Sequence, residues 1–177
     1  VERLKQAKPD DKLFLGLLTV DTHVSGGRCY YPSTPNDPSN PLLFSIQCFD
    51  RVFGEFIDKL KKENFFNDDL AIIVTADHLY PAYESVPGTE FQTSFVLKPA
   101  KIPFLLITPA KISLKAKSGS SIDIAATLLD LAGSKIPDYY MGKSLISNPY
   151  TTPFGQDRAN GYMITDGQFY PLSLNTE

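Results

Sequence analysis

Nothing in this 177-residue chain approaches the roughly 20-residue apolar span a membrane-crossing helix needs; the longest apolar run, Leu13–Val20, is strand length. Basic clusters are also lacking. Lys and Arg total 17 against 20 Asp and Glu, a net charge of −3, and the sequence pI is near 5.4. That balance lacks the electrostatic footprint of a nucleic-acid binder. No dinucleotide or Walker-type phosphate loop is present, and no Gly-x-Ser-x-Gly elbow, so those nucleotide and serine-hydrolase chemistries have no anchor. The chain opens on polar helical Val1–Lys8 with no initiator Met and no signal-type segment, and it reads as a processed chain or a piece of something longer. What is present is ordinary globular material. Apolar residues make up 42% and charged residues 21%, enough for a real core and too much for a disordered or disulfide-only scaffold.

Periodicity organises the chain. Residues 1–9 read as a short helix end stopped by Pro9. Lys12–Val20 is a continuous apolar run, the pattern of a strand buried on both faces. Asp21–Pro41 is a long loop rich in Gly, Pro, Ser and Asn, and loops of that length are usually functional. From Leu42 the period changes: Ile46, Phe49, Phe53, Phe56, Ile57 and Leu60 give one apolar helix face, with Asp50, Arg51, Glu55, Asp58, Lys59 and Lys61 on the other. Leu70–Ala76 and Ile102–Thr108 predict two further buried strands. Ser120 or Ser121 predicts the N-cap of a helix that buries Ile124, Leu128, Leu129 and Leu131, has Asp123 in its first turn, and stops at Gly133. Tyr162–Tyr170 predicts a hairpin turning on Asp166-Gly167. Strands alternating with helices point to an α/β layered domain with a mostly parallel sheet flanked by helices.

The two histidines are the most informative residues. His23 ends Thr19-Val20-Asp21-Thr22-His23 after the first apolar run; His78 ends Thr75-Ala76-Asp77-His78 after the second. Ligands of open α/β sheets bind outside the carboxyl ends of strands, so both Asp–His pairs are placed to converge on one crevice. Asp and His donors suit a divalent cation. Either pair alone reads equally as a loop acid and a hydrogen-bonded histidine. Arg28 stands in a Gly-rich stretch where a guanidinium could clamp a phosphate oxygen, or simply be solvated. Tyr30 and Tyr31 could line an acceptor groove or pack on the surface; Lys115 and Lys117 read as solvent contacts. Cys29 and Cys48 flank the Pro-rich loop, either as free thiols or, in an oxidising compartment, as a bridge pinning the loop to the amphipathic helix.

Thr19-Val-Asp-Thr-His23, Thr75-Ala-Asp-His78, Ser121-Ile-Asp-Ile-Ala-Ala-Thr-Leu-Leu-Asp-Leu-Ala-Gly133 and Met141-Gly-Lys-Ser-Leu145 together resemble the carboxyl-terminal half of the alkaline phosphatase/sulfatase superfamily. Within it the likeness is to the membrane-anchored phosphoglycerol transferases, which include the periplasmic glucan transferase and lipoteichoic acid synthase. The resemblance runs from about Leu13 to Leu145, and its most specific piece is Thr-Val-Asp-Thr-His. It implies an incomplete alkaline phosphatase-like α/β catalytic domain over 1–145, followed by a carboxyl-terminal extension over 146–177.

The activity implied is transfer of glycerol phosphate from phosphatidylglycerol to a glycan or polymer hydroxyl, through a metal-assisted phospho-enzyme. Asp77 and His78 would ligate the divalent metal (Mn, Zn or Mg). His23 would serve catalysis and substrate binding as phosphate donor or proton shuttle, with Arg28 a second substrate contact. The nucleophilic threonine and the acidic first metal ligand would lie in an upstream half, with the membrane anchor, so the 177 residues alone are expected to be inactive. The family resemblance also favours a Cys29–Cys48 disulfide and an extracytoplasmic location. Two alternatives differ in chemistry: a sulfatase or phosphoethanolamine transferase of the same superfamily, and a non-catalytic glycan-binding domain that kept the fold.

Overall fold

The computed structural model describes residues 1–8, 10–23, 29, 41–78, 102–149, 153–157, 160–165 and 168–172. Arg28, Tyr30, Tyr31 and the expected Asp166-Gly167 turn lie outside the described residues. Two compact units emerge, one of residues 1–70 and 78–102, the other of residues 71–77 and 103–177.

The first unit begins with helix α1 (Glu2–Lys5). Lys5 Nζ of α1 lies 3.0 Å from Glu63 Oε2. The Lys12–Val20 run corrects one expectation: it forms no strand, and its large apolar side chains are exposed, from 38% at Leu13 to 82% at Leu18. Apolar content permits a buried strand, but only a neighbouring ladder that takes up its N–H and C=O groups makes one. Helix α2 (Pro41–Lys62) follows. Its first residue is a proline, whose fixed φ suits the first helical position, and Lys59, Lys61 and Lys62 complement the dipole at its end.

Phe44, Ser45, Cys48 and Leu60 of α2 are buried, and Phe49, Phe53, Phe56 and Ile57 are half-buried. Phe49 stacks on Phe53 with ring centres 5.7 Å apart. Ile46, expected on the apolar face, is 45% exposed. The buried line of the first turns runs through Phe44, Ser45 and Cys48, and Ile46 lies about 150° round the helix from it. Past α2, Asn64 adopts φ 60° and the Phe65 N–H returns to the Leu60 carbonyl at 2.9 Å, the left-handed ending that satisfies a terminal carbonyl.

The second unit holds strands β1 (Ile72–Thr75) and β2 (Phe104–Ile107), helix α3 (Ile122–Leu131), and strands β3 (Phe154–Asp157), β4 (Asn160–Thr165) and β5 (Gln168–Leu172). β1 pairs with β2 antiparallel, Ile72 opposite Ile107 and Thr75 opposite Phe104. β3, β4 and β5 form a separate antiparallel meander. The expected mostly parallel sheet is therefore not what the described strands form. Its first expected strand has no ladder, and the two described strands that follow pair with each other in opposite directions. The expected hairpin is present: Thr165 pairs with Gln168, leaving two residues for its turn.

Around α3 the structure replaces hydroxyl capping with a carboxylate. Ser121 makes no side-chain cap, and Ser120 Oγ instead accepts the Phe154 N–H of β3 at 2.6 Å. Asp123, only 5% exposed, reaches back so that Oδ2 accepts the Ser120 N–H at 2.8 Å. Its Oδ1 accepts the Lys143 N–H at 2.8 Å. Thr127 Oγ1 donates to the Asp123 carbonyl at 2.7 Å and accepts the Leu145 N–H at 3.0 Å. These bonds bind the Met141–Leu145 strap to the first turns of α3, so Asp123, Ala126 and Thr127 are the buried residues of the helix. Ile124, Leu128, Leu129 and Leu131, expected in the core, are half-buried. At the far end Gly133 takes φ 60° and the Ser134 N–H reaches the Leu129 carbonyl at 2.8 Å, the expected glycine stop.

Candidate active site

Both histidines lie in short turns rather than in regular elements. The His23 N–H donates to the Val20 carbonyl at 3.1 Å, closing a turn over Asp21 and Thr22. Asp77 and His78 follow β1 after a single intervening residue. Thr75 Oγ1, at the last residue of β1, donates to the Pro103 carbonyl at 2.9 Å, fixing the end of the strand from which Asp77 and His78 emerge.

The structure brings the imidazoles of His23 and His78 together. Their ring centres are 6.4 Å apart with planes at 86°, although 55 residues separate them in sequence. Both rings are exposed, so they meet without packing that would exclude a ligand. Asp21, two residues before His23, is half-buried, and among the described residues its Oδ1 is shielded from solvent with no hydrogen-bond partner. A carboxylate oxygen in that state costs free energy until a donor or cation reaches it. Asp77 is exposed beside His78.

Cys29 is bonded to Cys48 of α2 with Cα atoms 5.9 Å apart, so the chain beyond His23 is tied covalently to a buried position of the helix. Lys115 and Lys117 are exposed; the Lys115 and Ala116 N–H groups hold the Leu145 carbonyl at 2.9 and 3.0 Å. The polar node at Asp123 and Thr127 was invisible to sequence reasoning, which assigned Asp123 to the helix dipole; the Asp three residues after Ser120 was the available signal.

An Asp–His donor set next to a second imidazole is chemically suited to a divalent cation. Among the described residues no group of three or more His, Cys, Asp and Glu side chains comes together.

The sulfatase family profile matches residues 1–134. The chain belongs to the sulfatase family. That family implies the alkaline phosphatase-like α/β fold, in a superfamily of metal-dependent hydrolases and transferases. Among curated proteins the chain is 29% identical over 145 residues to phosphoglycerol transferase I of Xanthomonas campestris pv. campestris, covering 76% of this chain and 19% of that protein. It is 30% identical over 110 residues to the 2,3-bisphosphoglycerate-independent phosphoglycerate mutase of Thermomicrobium roseum, covering 59% and 20%. Over 113 residues it is 32% identical to phosphopentomutase of Clostridium beijerinckii, covering 61% and 25%. The chain thus spans a fifth to a quarter of the length of these relatives. No solved structure matches it at a significant level. Among the described residues no helix is long and apolar enough to cross a membrane.

Proposed function

We propose that this sulfatase-family chain carries part of the active centre of a phosphoglycerol transferase. It would move glycerol phosphate from phosphatidylglycerol to a glycan or polymer hydroxyl on the outer side of a membrane. The observation that carries the reading is the meeting of His23 and His78 at 6.4 Å, in a chain similar over 76% of its length to phosphoglycerol transferase I. The three relatives are named for phosphoglycerol, phosphoglycerate and phosphopentose, each a phosphate ester on a short polyol-derived skeleton. That shared feature favours phosphoryl over sulfuryl transfer. The disulfide fits an oxidising compartment.

Asp77 and His78 are the residues to hold a divalent ion, which when bound supplies charge neutralisation at the phosphoryl oxygens and a lower pKa for the attacking hydroxyl. His23, facing His78, donates a hydrogen bond to a phosphoryl oxygen and shuttles a proton between the incoming and leaving hydroxyls. Arg28, five residues on, adds a second donor to the phosphate. The nucleophilic hydroxyl and the remaining ligands are assigned to a part of the protein outside these 177 residues, together with a membrane anchor. The 177 residues alone are therefore expected to turn nothing over.

The test offers the full-length protein phosphatidylglycerol with Mn²⁺ and follows diacylglycerol, with His78→Ala as control. Metal-dependent release lost in the variant supports the reading. Cleavage of an aryl sulfate without diacylglycerol release moves the protein to sulfatase chemistry, and turnover by the isolated 177 residues refutes the division of the active centre. Inactivity on both substrates, with glycan binding that survives His78→Ala, marks a binding domain that kept the fold.

A further inference from the structure

We infer that Thr75 is a positioning residue for Asp77 and His78, its hydroxyl setting the direction in which the chain leaves β1. This rests on the assignment of a divalent ion to those two residues under the proposed function, and it names what holds them in place.

The end of the ladder creates the need. Thr75 pairs with Phe104 at the last rung of β1 and β2, so the same register sets Ala76 opposite Pro103. Proline has no N–H to give, and regular pairing stops there. The Thr75 hydroxyl takes over. Its Oγ1 donates to the Pro103 carbonyl at 2.9 Å and lies 3.4 Å from the Ala76 carbonyl. That second carbonyl belongs to the peptide unit that supplies the Asp77 nitrogen. One short side chain thus grips both strands where the ladder ends, two residues before Asp77.

Packing gives Thr75 little else to do. Ile72, Ile73 and Val74 are half-buried, whereas Thr75 is exposed. Its β-branch suits a strand, but valine would serve that equally well; the hydroxyl is what distinguishes threonine here. Asp77 and His78 follow in a bend outside the ladder, so the strand end is what aims them. Side chains that share an ion must be held to within about 0.5 Å of the productive geometry. Outer contacts that orient metal ligands typically change affinity about 10–100-fold when removed. Thr75 acts through the backbone rather than on a ligand atom, which puts it at the lower end of that range.

The test titrates the full-length protein with Mn²⁺ by calorimetry and follows diacylglycerol release, beside Thr75→Val, Thr75→Ser, Thr75→Ala and His78→Ala. Thr75→Val, the closest shape without the hydroxyl, should bind Mn²⁺ about tenfold more weakly. It should also need about tenfold more Mn²⁺ for half-maximal rate, with KM for phosphatidylglycerol unchanged at saturating metal. Thr75→Ser keeps the hydroxyl and should keep the parent affinity, while Thr75→Ala should repeat the loss. The site is exposed, so the Thr75→Val and parent melts should coincide by circular dichroism. Parent affinity in Thr75→Val would overturn the inference. A loss shared by Thr75→Ser would overturn it too, assigning the effect to shape, as would weaker binding that merely tracks a lowered melt. A parent protein that binds no Mn²⁺ through His78 would also overturn it. Binding that depends on both Thr75 and His78, without diacylglycerol release, would sink the transferase reading and leave the role of Thr75 standing.

Discussion

Removing the Cys29–Cys48 bridge should cost the fold about 3 kcal/mol, a figure that follows from the loop it closes. The two cysteines are 19 residues apart. In the chain-entropy treatment a loop of that size withholds about 11 cal/mol/K from the unfolded ensemble, or about 3 kcal/mol at 25 °C. For a chain of this length each kcal/mol moves the melting temperature by roughly 2–4 °C, so the loss corresponds to about 6–12 °C. The suitable variant is the double substitution Cys29→Ala with Cys48→Ala. Cys48 is 4% exposed, and alanine avoids placing a serine hydroxyl in its buried site. Urea unfolding followed by circular dichroism should show a lower midpoint with an equal or slightly steeper slope, because the uncrosslinked chain exposes more surface when unfolded. Intact mass with and without reductant should differ by two hydrogen atoms in the parent and not at all in the variant. An unfolding free energy unchanged within about 1 kcal/mol would refute the reasoning, since it would mean the loop is already held closed by other contacts.

Gly142→Ala should destabilise by on the order of 3 kcal/mol, the upper end of overpacking costs. A Cβ there would collide with the Ile122 carbonyl and stand 3.0 Å from the Asp123 N, and backbone cannot step aside as a side chain can; a loss below about 1 kcal/mol in urea unfolding would contradict the close approach. Ser144→Ala should change the acid limb of stability. The hydroxyls of Ser144 and then Ser147 hydrogen-bond the Asp130 carboxyl and hold its pKa below the usual aspartate value. A depressed pKa stabilises the fold at pH values above the unfolded aspartate's, about 3.9, and that contribution drains away as pH falls through the folded value. Without the Ser144 hydroxyl the Asp130 carboxyl should titrate closer to the ordinary value by NMR. The variant's deficit should be full at neutral pH and shrink towards the acid end; an unmoved Asp130 titration would refute it. Leu60→Ala, at a fully buried site, should cost about 3–5 kcal/mol, and a smaller loss would show that the end of α2 collapses onto the cavity.

The parts of the fold legible in the sequence are those whose cause is local. The amphipathic stretch from Leu42 becomes α2, Gly133 ends α3 in the left-handed conformation, and the strand–Asp-Gly–strand pattern becomes the β4–β5 hairpin. What sequence could not supply are decisions made by distant partners. Whether Lys12–Val20 is a strand depends on a neighbour that no periodicity reveals. The direction of β1 against β2 depends on how the chain returns between them. The cap of α3 was misassigned because Asp123 has a partner 20 residues away at Lys143. A serine at the N-cap position was the nearer signal and lost to it.

The site follows the same division. Each Asp–His pair is a local feature, placed by a turn or a strand end, and sequence found both. Their meeting is not local: His23 and His78 approach across 55 residues, and only the fold can report a 6.4 Å separation. What the sequence did carry is the direction of that approach: each Asp–His pair follows an apolar run, and ligands of open α/β sheets bind outside the carboxyl ends of strands, which aims both imidazoles at one crevice before any distance is known.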